Sequence, residues 1–123
     1  MVEQVLNYIN GQWERSKSEQ HLEVINPASS ERLSQVSMTL TQEVDQAVEV
    51  AQQAFIEWRN VPAVDRIQFL FKLKNLLEDH FDELAEIITR ENGKTFKESQ
   101  GELRRAIENV EVACGFPILS QGG

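Results

Sequence analysis

Thr39-Leu-Thr-Gln-Glu-Val-Asp-Gln-Ala-Val-Glu-Val-Ala-Gln-Gln-Ala-Phe-Ile-Glu-Trp58 is where the pattern of this chain changes. Val44, Ala47, Val48, Ala51, Ala54, Phe55 and Trp58 fall at i, i+3, i+4, i+7, i+10, i+11 and i+14, which is one face of an α-helix. Thr39 or Thr41 can cap its start, and Thr39 with Gln42 has the spacing of a capping box.

Before this stretch the period is short. Leu6 to Trp13 mixes β-favouring side chains with the pair Asn10-Gly11, which predicts a strand breaking at a tight turn and hence a small hairpin. Glu14 to Gln20 is polar. His21 to Ile25 alternates as a second strand, Asn26-Pro27 and Ser29-Ser30 mark a turn, and Leu33 to Met38 reads as a third short strand.

After it the chain stays helical. Pro62 restarts it as a first-turn proline. Ile67, Phe69, Leu70, Phe71, Leu73, Leu76 and Leu77 spread over more than one stripe, so this helix should be covered on several sides. A further segment carries Phe81, Leu84, Ala85, Ile87 and Ile88 and stops at Asn92-Gly93. Thr95-Phe-Lys-Glu98 is a capping box that opens the next helix, and Gly115 with Pro117 closes it. The organisation expected is mainly α with a short N-terminal β-hairpin: strands and turns over 1–38, helices over 39–116, and loop over 117–123. No repeat, low-complexity tract or interdomain linker interrupts it. Ser120-Gln-Gly-Gly123 ends in loop residues without finishing an element, so the chain reads as one cut short.

With 123 residues, 41% of them apolar, the sequence can build one modest core. Twenty acidic against twelve basic side chains give a net charge of −8, which excludes a basic face for nucleic acid. No apolar run approaches the roughly 18 residues of a membrane span, and the N-terminus lacks a secretory signal. The chain reads as cytoplasmic. One cysteine excludes an internal disulfide, and two histidines form no cluster at zinc spacing, so no metal ligands are assigned.

Chemistry concentrates in Gly101-Glu-Leu-Arg-Arg-Ala-Ile-Glu-Asn-Val-Glu-Val-Ala-Cys-Gly115. Leu103, Ile107, Val110 and Cys114 stand at i, i+4, i+7 and i+11, so Cys114 reads as a small core residue with no histidine at hand to make it a nucleophile. Arg104 has Glu108 at i+4, and Arg105 has Glu102 and Glu108 three residues to either side. One reading is a solvated, salt-bridged face. The other leaves one guanidinium free to bind an external carboxylate through its planar fork. Gly101 favours the second, because a glycine inside a helix costs about 1 kcal/mol and often marks close approach by another element. Gly93-Lys94 sits in no phosphate-binding pattern and reads as a helix-end turn. His21 and His80 read as surface residues.

The order of Asn7-Tyr-Ile-Asn-Gly-Gln-Trp13, Val24-Ile-Asn-Pro-Ala28, Ala54-Phe-Ile-Glu-Trp58 and Thr89-Arg-Glu-Asn-Gly-Lys94 resembles the N-terminus of the aldehyde dehydrogenase superfamily. Arg105-Ala-Ile-Glu-Asn-Val-Glu-Val-Ala-Cys-Gly115 is similar to its methylmalonate-semialdehyde dehydrogenase branch, which acylates coenzyme A; Ala106 departs from the glycine usual there. The resemblance runs from about Asn7 to Gly122. It implies the outer strands and first helices of a Rossmann-like cofactor domain. It also implies a homo-oligomeric parent enzyme that oxidises methylmalonate or malonate semialdehyde with NAD, loses carbon dioxide and passes the acyl group to coenzyme A. In that family the nucleophilic cysteine, the oxyanion asparagine and the main nucleotide-binding elements come later than residue 123, and Cys114 does not match the nucleophile. Arg105 matches a family arginine that binds the substrate carboxylate with a second arginine beyond this chain. The expectation is therefore one substrate-binding residue, Arg105, with no catalytic or cofactor-binding residue in this segment. Two roles stand: an N-terminal fragment of the dehydrogenase, inactive alone, or a stand-alone helical interaction module. In either case Phe69, Leu73 and Leu76 should drive self-association.

Overall fold

In the computed structural model, which describes residues 3–122, a polar hairpin turn at Asn10-Gly11 opens the architecture. Both residues take positive φ, 54° and 76°, and the glycine has no Cβ to resist it. The turn joins β2 (Asn7–Ile9) to β3 (Gln12–Glu14) in antiparallel register, placing Tyr8 opposite Trp13 with ring centroids 4.8 Å apart. The expected hairpin forms there. A three-stranded sheet stands beside it in sequence, in the order β1-β5-β4. β4 (His21–Ile25) and β5 (Arg32–Ser37) pair antiparallel across the Asn26–Glu31 turn, in which the Asn26 side chain accepts from the Ala28 N–H at 2.9 Å. β1 (Glu3–Val5) pairs parallel with β5, Glu3 beside Ser34 and Val5 beside Val36. That strand is an addition to the sequence reading, because three residues are too few to show a period.

α1 (Thr41–Trp58) forms over the stretch that set the helical period, but no threonine caps it. Leu40 is the cap residue and has no side-chain acceptor. The Glu43 carboxylate takes the Leu40 N–H at 3.0 Å, and it also accepts from the Ser16 hydroxyl at 2.6 Å and the Lys17 N–H at 2.8 Å. Thr39 is engaged elsewhere, accepting from the Asn7 amide at 3.3 Å. None of the described residues of α1 is buried. Val44, Val48 and Phe55 are exposed, and part of the stripe lines an open cleft of about 660 Å³ with Tyr8 and Trp13.

The chain divides into two compact units after Asn60. The second unit is helical: α2 (Ala63–Asp79), α3 (Phe81–Asn92), α4 (Phe96–Cys114) and the single turn α5 (Phe116–Leu119). Pro62 precedes α2 as its cap, where its carbonyl accepts from Asp65 and Arg66, instead of occupying the first turn. Only His80 separates α2 from α3. Gly93 closes α3 at φ 83°, the left-handed conformation expected of it. Thr95 and Glu98 form the predicted capping box: Thr95 Oγ1 accepts from the Glu98 N–H at 3.3 Å and Glu98 accepts from the Thr95 N–H at 3.0 Å. Beyond Gly115 the loop reading is corrected, because Phe116–Leu119 makes a further turn with Pro117 at its start, where a missing N–H costs nothing. The reading of Gly123 lies outside the described residues.

The core of this unit is Ala85, Leu103 and Ile107, with Leu77, Phe81, Leu84 and Ile88 packed against it. Ser99 is also fully buried and is satisfied by the Thr89 hydroxyl at 2.8 Å. α2 is not covered on several sides as its pattern predicts: Phe69, Leu73 and Leu76 remain 58%, 42% and 55% exposed.

Ile107→Ala should destabilise the chain by about 2–5 kcal/mol, since the deleted atoms leave a cavity between three helices. Thr95→Ala should cost about 1 kcal/mol through the lost cap. Urea unfolding followed by far-UV circular dichroism checks both, and equal losses would contradict this core.

Candidate functional site

α4 carries the stretch singled out for chemistry, and one geometric fact sorts its residues. At about 100° per residue, Leu103, Ile107, Val110 and Cys114 form a single stripe. Leu103, Ile107 and Cys114 are buried, with Cys114 7% exposed. The thiol therefore sits in packing, as its spacing indicates. Among the described residues no group of three or more histidine, cysteine, aspartate or glutamate side chains could hold a metal ion.

Arg104 falls about 90° from the centre of that stripe, and Arg105 about 190° from it. The flanking position reaches a neighbouring helix. Arg104 makes a two-pronged contact with Glu78 of α2, at 2.6 and 3.1 Å, and its guanidinium lies 4.7 Å from the centre of the Phe81 ring. This corrects the expected partner: Glu108 is on the same helix, but it is Glu78 that takes both prongs of the guanidinium fork. The sequence signal was available in the angle, since a residue at the edge of a core stripe points along the interface and not out of it. Glu78 is held below the usual carboxylate range, chiefly by the Arg104 hydrogen bonds, and the Arg104 guanidinium is raised in turn. Lys94 pairs with Glu102, and Lys74 approaches Glu111 at 3.8 Å.

Arg105 is different. It is exposed on the face opposite the core and makes no ion pair or hydrogen bond among the described residues. Its two expected acidic neighbours do not hold it: Glu102 is taken by Lys94, and Glu108 makes no bond to it. Gly101 is one turn earlier on the same outward face. A Cβ there would meet nothing within 4 Å, so no element of this chain makes the close approach that a helical glycine suggested. The arrangement is a helix fixed on one side by its core, with one arginine spent on structure and one presented outward.

The same segment has known relatives. The family model for the aldehyde dehydrogenase family matches residues 13–122. The chain belongs to the aldehyde dehydrogenase family. It is 47% identical over 121 residues to malonate-semialdehyde dehydrogenase 2 of Oceanobacillus iheyensis, covering 98% of this chain and 25% of that one. It is equally similar, over 116 residues, to malonate-semialdehyde dehydrogenase 1 of Geobacillus kaustophilus, covering 94% and 24%. Among solved structures, methylmalonate-semialdehyde dehydrogenase from Oceanimonas doudoroffii overlays with a TM-score of 0.89 at 42% identity, over 97% of this chain and 24% of that one. A Sinorhizobium meliloti structure complexed with NAD overlays at 0.90 with 30% identity, over the same shares. The fold is thus that of the N-terminal part of an aldehyde dehydrogenase. The chain spans about a quarter of the length of the relatives it matches.

Three carboxylates are held low: Glu78 by Arg104, Glu98 by the Thr95 backbone and hydroxyl, and Glu43 by Ser16, Lys17 and Leu40. For each the folded value lies below the unfolded one, so in acid the unfolded chain binds more protons and stability rises with pH. The contribution is complete above the ordinary carboxylate value of 4.5 and is lost as pH falls through the lower folded values. Thermal melts from neutral pH downward should show falling Tm, and Glu78→Gln should flatten part of that slope. An unchanged slope would contradict the Arg104–Glu78 contact.

Proposed function

We propose that this chain is the N-terminal segment of a methylmalonate- or malonate-semialdehyde dehydrogenase, and that its contribution to the site is Arg105. The intact enzyme oxidises the semialdehyde with NAD, releases carbon dioxide and transfers the acyl group to coenzyme A. The observation carrying this reading is the outward, unpaired guanidinium of Arg105 in a chain 47% identical to a malonate-semialdehyde dehydrogenase. The substrate's distal group is a carboxylate, and a planar guanidinium offers it two parallel hydrogen bonds. Held this way, the aldehyde end has a fixed direction relative to α4.

NAD does not fit the residues of this segment. A common way to hold its pyrophosphate is with free N–H groups at a helix N-terminus. Every long helix here has an acidic residue in its first turn: Glu43, Asp65, Asp82 with Glu83, and Glu98. At α1 and α4 those carboxylates already accept N–H groups that a phosphate would need. We therefore assign cofactor binding, coenzyme A binding and the nucleophile to the remainder of the enzyme, and no catalytic residue to this segment. A cytoplasmic homo-oligomer suits an enzyme using both soluble cosubstrates.

Joining this chain to the remaining three quarters of the Oceanobacillus iheyensis enzyme tests the assignment. Arg105→Leu should lower kcat/KM for malonate semialdehyde about ten- to a hundredfold, equivalent to about 1.5–3 kcal/mol, while turnover of propionaldehyde changes little. Arg104→Leu should loosen the helix pair without that selectivity. If Arg105→Leu slows both aldehydes equally, Arg105 is structural and the assignment fails.

The 123-residue chain alone should produce no NADH from malonate semialdehyde, NAD and coenzyme A. It should also self-associate in sedimentation velocity, because Phe69, Leu73 and Leu76 are exposed. NADH formation by the pure chain, or a monomer at high concentration, would count against these two expectations respectively.

A further inference from the structure

The pair Asn-Gly occurs twice, at Asn10-Gly11 and at Asn92-Gly93, and the fold treats the two differently. Such a pair is the least hindered setting for one backbone reaction, in which the amide nitrogen after an asparagine attacks the side-chain carbonyl carbon; glycine leaves that nitrogen unshielded. At the end of α3 the nitrogen is occupied. The Gly93 N–H donates to the Thr89 carbonyl at 2.8 Å, and turning the main chain of Asn92 toward its own side chain would break that bond and unwind the helix end. At the hairpin nothing comparable stands in the way. Ile9 and Gln12 close the ladder, which leaves Asn10 and Gly11 outside it. Among the described residues neither the Gly11 N–H nor the Asn10 side chain makes a hydrogen bond, Asn10 is exposed, and a Cβ at Gly11 would meet nothing within 4 Å. Asn10 also holds φ at 54°, a conformation that costs an L residue energy.

We propose that Asn10-Gly11 is a self-modifying site, converted in the folded chain by the Gly11 nitrogen while Asn92-Gly93 is spared. The nitrogen gives its proton to solvent base and bonds to Asn10 Cγ; the Cγ–Nδ2 bond breaks, ammonia leaves, and a five-membered succinimide remains. Water then opens the ring. Cleavage at the side-chain carbonyl leaves an aspartate, and cleavage at the main-chain carbonyl leaves an isoaspartate, in which the backbone runs through the former side chain. One water is consumed and one ammonia released, with no oxidant or reductant. Either product adds a negative charge. The isoaspartate also adds a methylene to the backbone of a two-residue turn, and a turn of changed length no longer holds Tyr8 opposite Trp13.

The test holds the pure 123-residue chain in warm, mildly alkaline buffer and follows both asparagines by peptide mapping with mass spectrometry, which reads the exchange of an amide for a carboxyl and separates isoaspartyl peptides. In the folded chain Asn10 should convert at least several-fold faster than Asn92. In concentrated urea, where neither the turn nor the helix end persists, the two rates should converge. The near-UV circular dichroism of the Tyr8–Trp13 pair should decay as isoaspartate accumulates. Asn10→Gly, which accepts the positive φ and lacks the reacting carbonyl, should keep its spectrum over the same period. Asn10 reacting no faster than Asn92 in the folded chain overturns the proposal. So does a difference that persists unchanged in urea, since it would belong to the neighbouring sequence and not to the fold. Accumulation of isoaspartate with an unaltered near-UV spectrum overturns the claim that the hairpin register responds.

Discussion

Burial of one stripe of α4 is the constraint on which the rest of the helical unit depends. Leu103 and Ile107 pack with Ala85, and Leu77, Phe81, Leu84 and Ile88 close around them. Each such side chain contributes about 1.5–3 kcal/mol by leaving water, so turning α4 by one residue, which would expose Leu103 and bury Arg104, is strongly disfavoured. With the rotation of the helix set, the two arginines have no freedom to exchange roles. Arg104 is delivered to Glu78 and the Phe81 ring, and Arg105 is delivered away from both. The outward direction of Arg105 is thus set by residues on the opposite face of its helix.

Acidic side chains serve a second ordering role. The net charge of −8 could have been spread over solvated faces, yet Glu43 and Glu98 each close a helix start, and Glu43 also gathers Ser16 and Lys17 from the preceding loop. Carboxylates at helix N-termini complement the positive end of the macrodipole. The same placement sets a carboxylate against N–H groups at the starts of α1 and α4 that an anion would otherwise meet.

Much of this was legible in the sequence, for reasons that differ by element. Asn10-Gly11, Gly93 and the Thr95 to Glu98 box are short-range signals whose chemistry is complete within four residues, and the structure follows them. The cap of α1 was not legible, because Glu43 is recruited by Ser16 and Lys17 from a loop more than twenty residues away in sequence. The Arg104 partner failed similarly: a Glu at i+4 is visible in the sequence, whereas Glu78 becomes a neighbour only when α2 packs on α4. Periodicity located the apolar faces of α1 and α2 but does not say what they face, and in this chain Val48, Phe69 and Leu76 face solvent. The superfamily resemblance came from the order of modest motifs, which survives even where individual caps are misassigned. Arg105 as a site residue rests on that resemblance, because spacing alone favours a salt-bridged face.

The parallel pairing of β1 with β5 has a consequence for how the chain is made. Glu3 lies beside Ser34, so the first strand leaves the ribosome about thirty residues ahead of the strand that must hold it, with β2, β3 and β4 emerging between them. The β2–β3 hairpin and the β4–β5 pair can each close on local contacts as they appear. β1 has no such option, and Glu3–Val5 must wait as an unpaired strand until β5 arrives to complete its side of the sheet. Among the five described strands, β1 therefore precedes the others in synthesis yet pairs only once β5 is present, and a pause in translation before Ser37 would prolong the interval in which its backbone groups are open to a wrong partner.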